Sequence, residues 1–77
     1  MEIRDRIRLI RQFKKLSTYA LAKLTDMSQP VIDRMETGNR KICVEDIVVI
    51  ANALNVPIEA FFYDQKMLEV MQGGKND

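Results

Sequence analysis

The sequence predicts an all-α protein, folded as a compact domain of five helices. Apolar residues recur at helical spacing along several stretches, and residues that typically begin or end helices flank these stretches. The chain has only 3 glycines and 2 prolines, too few for a β-sandwich or barrel. Its 77 residues are enough for one hydrophobic core. We therefore expect residues 1–63 to form one domain and residues 64–77 to be a tail, partly helical or disordered.

The first helix is predicted over residues 2–15. Apolar side chains recur on one of its faces, and most arginines and lysines lie on the others, so the helix is amphipathic and basic. An ordinary solvated surface is the simplest explanation for any single basic residue here. The apolar face comprises Ile3, Ile7, Ile10 and then Phe13 or Lys14.

A short second helix is predicted over residues 18–25. Ser17 is a suitable N-cap residue, and the apolar pattern stops at the turn-prone pair Thr25-Asp26. A positive φ is expected at Asp26, and Asp tolerates that conformation better than a β-branched residue does. The apolar set of this helix is Leu21, Ala22 and Leu24.

A third helix, residues 29–37, follows almost at once. Ser28 is again an N-cap residue, Pro30 is acceptable in the first turn, and Gly38 supplies the left-handed residue that ends the helix. The chain between the second and third helices is too short for them to run antiparallel. They should therefore cross steeply, as in a helix-turn-helix.

A fourth helix is predicted within residues 42–54 and should form the centre of the core. Glu45 and Asp46 suit its positive first turn, and Asn55 suits the left-handed residue after its last turn. Its apolar residues cover more than one face and are Val44, Ile47, Val48, Ile50, Ala51 and Leu54.

Pro57 opens a fifth helix over residues 58–63, from which Phe61 should enter the core. The other apolar side chains nearby cannot all be buried by one short helix. Either they form a subunit contact or the tail folds back over them, and the sequence leaves both open. The candidate dimerisation residues are Ile58, Phe62, Tyr63 and Met67.

Composition argues against several classes of protein. No apolar run approaches the ~18 residues of a membrane span, and the charged segment MEIRDRIRLI is unlike a signal peptide, so a cytoplasmic protein is expected. With one cysteine, Cys43, and no histidine, we expect no metal site and no cofactor. No general acid–base pair can be assigned, so an enzyme is not expected, and no small-molecule ligand is evident.

Charge is distributed unevenly along the chain. Residues 1–41 carry ten Lys/Arg against five Asp/Glu, whereas residues 42–77 carry two against six. The formal net charge is only +1. The asymmetry nevertheless suggests that the half containing the helix-turn-helix faces a polyanion.

The third helix carries the most informative surface. If Ile32 and Met35 face inward, Gln29, Pro30 and Arg34 share the outer edge. Gln and Arg side chains fit the major-groove edges of adenine and guanine. An ordinary surface explains these residues equally well on spacing alone. The basic segment Asn39-Arg40-Lys41, just past the helix and within reach of phosphates, favours DNA.

Taken together, these motifs resemble the phage repressor and Cro family, the XRE-type helix-turn-helix regulators. The resemblance covers roughly residues 3–62, and its order and spacing are specific although each motif alone is weak. It rests on I-R-L-I-R at 7–11, L-S at 16–17, L-A at 21–22, S-Q-P-V-I at 28–32, M-E-T-G at 35–38 and I-A-N-A-L-N-V at 50–56. It implies a repressor-like five-helix fold and a regulator that binds operator DNA as a dimer, with the third helix in the major groove.

The resemblance also implies roles for individual residues. Gln29, Pro30 and Arg34 match base-contacting positions, and Arg11 and Glu36 match a structural ion pair between the first and third helices. Three residues depart from the family pattern: Asp26 replaces a glycine, Ile42 replaces a frequent proline, and Pro30 lacks a side-chain donor. The expected phosphate-contacting residues are Thr18, Ser28, Thr37, Asn39, Arg40 and Lys41.

We therefore predict a sequence-specific transcriptional regulator that binds double-stranded DNA, as a homodimer on a near-palindromic operator. The alternative is a protein-interaction module on the same fold, such as an antitoxin or an adaptor. The near-zero net charge and the acidic, aromatic C-terminal third favour this alternative modestly.

Overall fold

Four α-helices and one 3-10 helix make up the fold of residues 1–62, which are the residues that the computed structural model describes. This part of the chain contains no β-strand, so the all-α class is confirmed. In chain order the helices are α1 (Ile3–Phe13), α2 (Thr18–Thr25), α3 (Gln29–Thr37), α4 (Val44–Leu54) and the 3-10 helix Ile58–Phe61.

Local capping explains where α2 and α3 begin and end. Ser17 Oγ accepts a hydrogen bond from the Ala20 N–H at 3.0 Å, and Ser28 Oγ accepts one from the Val31 N–H at 3.4 Å. Asp26, with φ 61°, follows α2 in the left-handed region, and Gly38, with φ 83°, follows α3. These contacts lie within a few residues in sequence, so both helices have the limits that the sequence predicts.

All five elements contribute to one core, which lies behind α2 and α3. α4 packs against α2, α1 and the 3-10 helix, while α1 also packs against α3. The core therefore supports the helix-turn-helix from the side opposite its exposed edge. Its buried apolar residues are Ile7, Leu21, Ala22, Ile32, Met35, Ile47, Ile50, Ala51, Leu54 and Phe61.

The predicted apolar face of α1 is wrong at its C-terminal end. Phe13 is 82% exposed, because the buried side of α1 runs through Ile7 and Arg11, and a residue two positions further on points away from it. α1 also ends at Phe13, earlier than predicted. Lys15 has φ 61°, and the Leu16 N–H bonds back to the Arg11 carbonyl at 3.1 Å, which closes the helix.

Three other side chains assigned to apolar sets are also exposed. Leu24 on α2 is exposed, as are Val44 and Val48 on α4. Leu24 and Val48 lie outside the buried stripes of their helices, which are Leu21, Ala22 and Thr25 on α2 and Ile47, Ile50, Ala51 and Leu54 on α4. Val44 is the first residue of α4 and precedes its buried turns. Apolar composition alone did not identify which face was buried.

The fifth element is a 3-10 helix, Ile58–Phe61, in place of the predicted α-helix over residues 58–63. The Ala60 N–H bonds to the Pro57 carbonyl at 3.0 Å, the short repeat of a 3-10 helix. Phe61 is buried in the core as predicted, Ile58 is half-buried against it, and Phe62 is exposed. Tyr63, Met67 and the predicted tail, residues 64–77, lie outside the described residues.

Candidate nucleic-acid interface

The exposed edge of α3 carries the three predicted base-contacting residues. Gln29 and Pro30 occupy its first turn, and Arg34 lies one turn beyond Pro30; all three are exposed. On the other side of the helix, Ile32 and Met35 are buried in the core. The 3.6-residue repeat thus leaves the polar edge of α3 free to enter a groove.

A hydrogen bond joins the starts of α2 and α3. Gln29 Nε2 donates to Thr18 Oγ1 at 3.0 Å. Thr18 is the first residue of α2 and Gln29 the first of α3, so the tight turn brings two helix starts together although they are eleven residues apart. The sequence analysis gave these two residues separate roles and did not predict the bond. The available signal was that each is the first residue of a helix on one side of the same tight turn.

The hydroxyl groups near α3 are partly engaged by the protein itself. Ser28 Oγ accepts from the Val31 N–H, and its own O–H stays available to a phosphate. Thr37 Oγ1 donates back to carbonyls of α3, at 3.0 Å to Asp33 and 3.3 Å to Arg34. Its one hydroxyl hydrogen is therefore committed to the helix.

The loop after α3 begins with a hydrogen-bonded asparagine and continues with two basic residues. Asn39 Nδ2 donates to Thr37 Oγ1 at 3.0 Å, and the Asn39 N–H bonds to the Arg34 carbonyl at 2.8 Å. Arg40 and Lys41 follow, both exposed. Neither makes an ion pair within residues 1–62. Two exposed cations therefore follow closely after the C-terminal end of α3.

A buried ion pair ties α3 to α1. Arg11 Nε and Nη2 donate to the two carboxylate oxygens of Glu36 at 2.7 and 2.9 Å, and Arg11 Nη1 donates to the Leu16 carbonyl at 2.7 Å. Arg11 is 9% exposed and Glu36 is 5% exposed. The hydrogen bond to Glu36 raises the pKa of Arg11 above its ordinary value, against the opposing effect of burial. The bidentate geometry fixes the orientation of α3 on the core.

The described residues offer little for other chemistry. They contain no group of three or more Cys, His, Asp or Glu side chains that could hold a metal ion, and Cys43 is exposed just before α4. No helix among residues 1–62 has the length and apolar character needed to cross a bilayer. The exposed edge of α3 and the basic residues that follow it are the candidate surface that the residues themselves offer.

A helix with an exposed polar edge, held across a short turn from a second helix and flanked by a basic loop, defines a helix-turn-helix domain. The family model HTH_3, described as helix-turn-helix, matches residues 7–61. The chain therefore belongs to this family of DNA-binding transcriptional regulators. No curated protein gives a significant match.

Two solved structures are similar to the chain. The restriction-modification controller protein C.AhdI from Aeromonas hydrophila has 27% sequence identity and a TM-score of 0.74; the match covers 77% of this chain and 89% of that one. An HTH_3 family transcriptional regulator from Vibrio cholerae has 28% identity and a TM-score of 0.74. That match covers 78% of this chain but only 34% of the regulator, which is much longer.

Proposed function

We propose that this protein is a sequence-specific transcriptional regulator that inserts α3 into the major groove of DNA. Gln29 and Arg34 read base edges, and Pro30 offers only apolar contact, for instance to a thymine methyl group. Thr18, Ser28, Asn39, Arg40 and Lys41 hold the phosphate backbone, and Thr37 contributes by fixing Asn39. The observation that carries the proposal is the exposed edge of α3, with the exposed cations Arg40 and Lys41 just past its end and α3 held on the core by the Arg11–Glu36 pair.

We further propose that it acts as a homodimer on a near-palindromic operator. Half-sites would then lie about one helical turn, ~10 base pairs, or a multiple of it apart. Phe62 and the half-buried Ile58 are the described candidates for the dimer contact, with Tyr63 and Met67 beyond them. The mechanism is occlusion of a promoter or recruitment to it, in the cytoplasm. The likeness to a restriction-modification controller protein supports a regulatory role.

Selection of bound sequences from random duplex DNA, followed by sizing of the complex, tests the proposal. We expect an enriched motif with two-fold symmetry and two chains per duplex. An enriched motif without symmetry, bound by one chain, would contradict the proposed dimer but remain consistent with base reading by α3. Absence of any enriched sequence at low salt would contradict sequence-specific binding.

The alternative function is a protein-interaction module on the same fold. The specific observation that favours it is an exposed apolar face on α4, where Val44, Val48 and Val49 are 62%, 41% and 38% exposed. A stable complex with another protein, together with no affinity for any duplex, would favour this function over DNA binding.

A further inference from the structure

Arg4, near the start of α1, lies against the end of the proposed reading helix. Its guanidinium packs over Gly38, the residue that follows α3, and a Cβ added at Gly38 would collide with Arg4 Nη1. The φ of 83° at Gly38 favours glycine, and the short approach shows that the Arg4 guanidinium lies directly over this residue. Although 34 positions separate them in sequence, Arg4 and Gly38 form one surface in the fold.

Arg4 shares an open groove with Arg40 from the basic loop. The groove has a volume of about 480 Å³ and lies between the start of α1, the loop after α3 and the 3-10 helix. Glu2 is the one acidic residue of its described lining. Residues that line it include Glu2, Arg4, Gly38, Arg40, Ile42 and Phe62.

The described partner of Arg4 is weak and replaceable. Arg4 Nη2 lies 3.1 Å from Glu2 Oε2, but the Arg4 and Glu2 side chains are 40% and 70% exposed. Exposed pairs of this kind contribute little and are screened by salt. A DNA phosphate, whose one negative charge is shared by two non-bridging oxygens, can replace Glu2 as a bidentate partner for the guanidinium.

We propose that Arg4 and Arg40 together bind a DNA backbone phosphate in this groove, which makes the start of α1 a further DNA contact. This inference rests on the proposed function. It places a cation from outside the helix-turn-helix at the end of α3 opposite to Gln29. The DNA would then be held at both ends of the reading helix, with Thr18 beside the first turn and Arg4 beside the last.

A structural role for Arg4 gives a different expectation. A cation near the C-terminus of a helix stabilises it through the helix dipole, and Arg4 is placed to do so for α3. Loss of that role would lower the melting temperature and leave the salt dependence of DNA binding unchanged. The two roles therefore separate in experiments that measure both quantities.

The test compares Arg4→Ala with Arg8→Ala in the full chain. Arg8 is a matched control because it lies one turn further along α1, pairs with Asp5 at 3.2 Å, and has a side chain 46% exposed, yet it does not line the groove. Affinities are measured for the selected operator and a random duplex over a series of salt concentrations. Thermal melting of each variant is recorded in parallel.

We expect Arg4→Ala to weaken binding to both duplexes by the same several-fold factor and to reduce the salt slope by about 1. Arg4→Lys should recover part of the affinity, and Glu2→Gln should strengthen binding to both duplexes. Arg8→Ala should differ little from the wild type. If Arg4→Ala matched Arg8→Ala in affinity and slope, or lost the operator selectively, the inference would be overturned. Failure of the wild type to bind any duplex would instead contradict the proposed function itself.

Discussion

The amide of Gln29 donates a hydrogen bond to the hydroxyl of Thr18 at 3.0 Å, which links the first residue of α3 to the first residue of α2. One of these residues is proposed to read a base and the other to contact a phosphate. The bond restricts the rotamers of the Gln29 side chain before DNA arrives. Pre-ordering of this kind lowers the entropy cost of binding.

Removal of the Thr18 hydroxyl should therefore affect base reading as well as backbone contact. We expect Thr18→Val to relax the preference at the base pair read by Gln29, whereas Thr18→Ser should retain it. A double-mutant cycle of Thr18→Val and Gln29→Ala on operator binding should give a coupling of about 0.5–1.5 kcal/mol, the usual net value of such a bond. Strictly additive effects would show that the two side chains act independently on DNA.

Arg34 and Lys41 should respond to substitution in different ways. Arg34→Ala should cost about 1–3 kcal/mol on the operator and relax the preference at one base pair, because a bidentate contact to guanine is lost. Competition binding against operators with single base-pair changes measures this. The division of roles proposed here would fail if Arg34→Ala weakened operator and random DNA by equal factors.

Lys41→Ala should weaken binding to every duplex alike and reduce the slope of log affinity against log salt by about 1, because a phosphate contact releases counterions irrespective of sequence. Titrations at several salt concentrations, on operator and random DNA, give both quantities. Lys14, exposed near the end of α1, provides a control lysine outside the proposed interface. A loss confined to the operator would assign Lys41 to base reading.

The Arg11–Glu36 pair should be important for stability. Glu36→Ala leaves a guanidinium buried without its carboxylate and should cost about 3–5 kcal/mol, measured by urea denaturation. Replacement of both partners, Arg11→Met with Glu36→Leu, should recover much of that loss because no unpaired charge remains. Melting of Glu36→Ala at the wild-type temperature would contradict the prediction.

The pH dependence of the same pair follows from the raised pKa of Arg11. A cation whose pKa is higher in the folded protein than in the unfolded chain stabilises the fold. That stabilisation is fully present at any pH below the pKa in the unfolded chain. For an arginine that limit lies far above neutrality. The difference in unfolding free energy between wild type and the double variant Arg11→Met with Glu36→Leu, which leaves no unpaired charge, should therefore stay constant from about pH 6 to pH 9. A steady decline of this difference over that range would contradict the assignment.

Replacement of Asp26, in the turn between α2 and α3, by glycine should stabilise the fold. Asp26 has φ 61°, and glycine adopts that conformation without strain, so Asp26→Gly should gain about 0.5 kcal/mol and raise the melting temperature by roughly 2–4 °C. Asp26→Ala should instead lower it. Asn55→Gly, at φ 58°, is the matched control and should gain less because asparagine tolerates this region better. A lower melting temperature for Asp26→Gly would indicate that the carboxylate has a compensating contact.

Features that depend on neighbours within one helical turn could be predicted from the residues alone. Ser17, Ser28, Gly38 and Asn55 set helix limits through contacts to residues close in sequence, so α2 and α3 have their predicted bounds. The all-α class followed from the same local patterns.

The buried face of each helix depends instead on how the helices pack against one another. Phe13 and Val48 are exposed although both are apolar and were expected to be buried, because the position of neighbouring helices selects the buried face. The bond from Gln29 to Thr18 and the packing of Arg4 over Gly38 likewise depend on how helices are placed against each other. Spacing along one chain does not encode such distances, since they arise from the packing of a shared core.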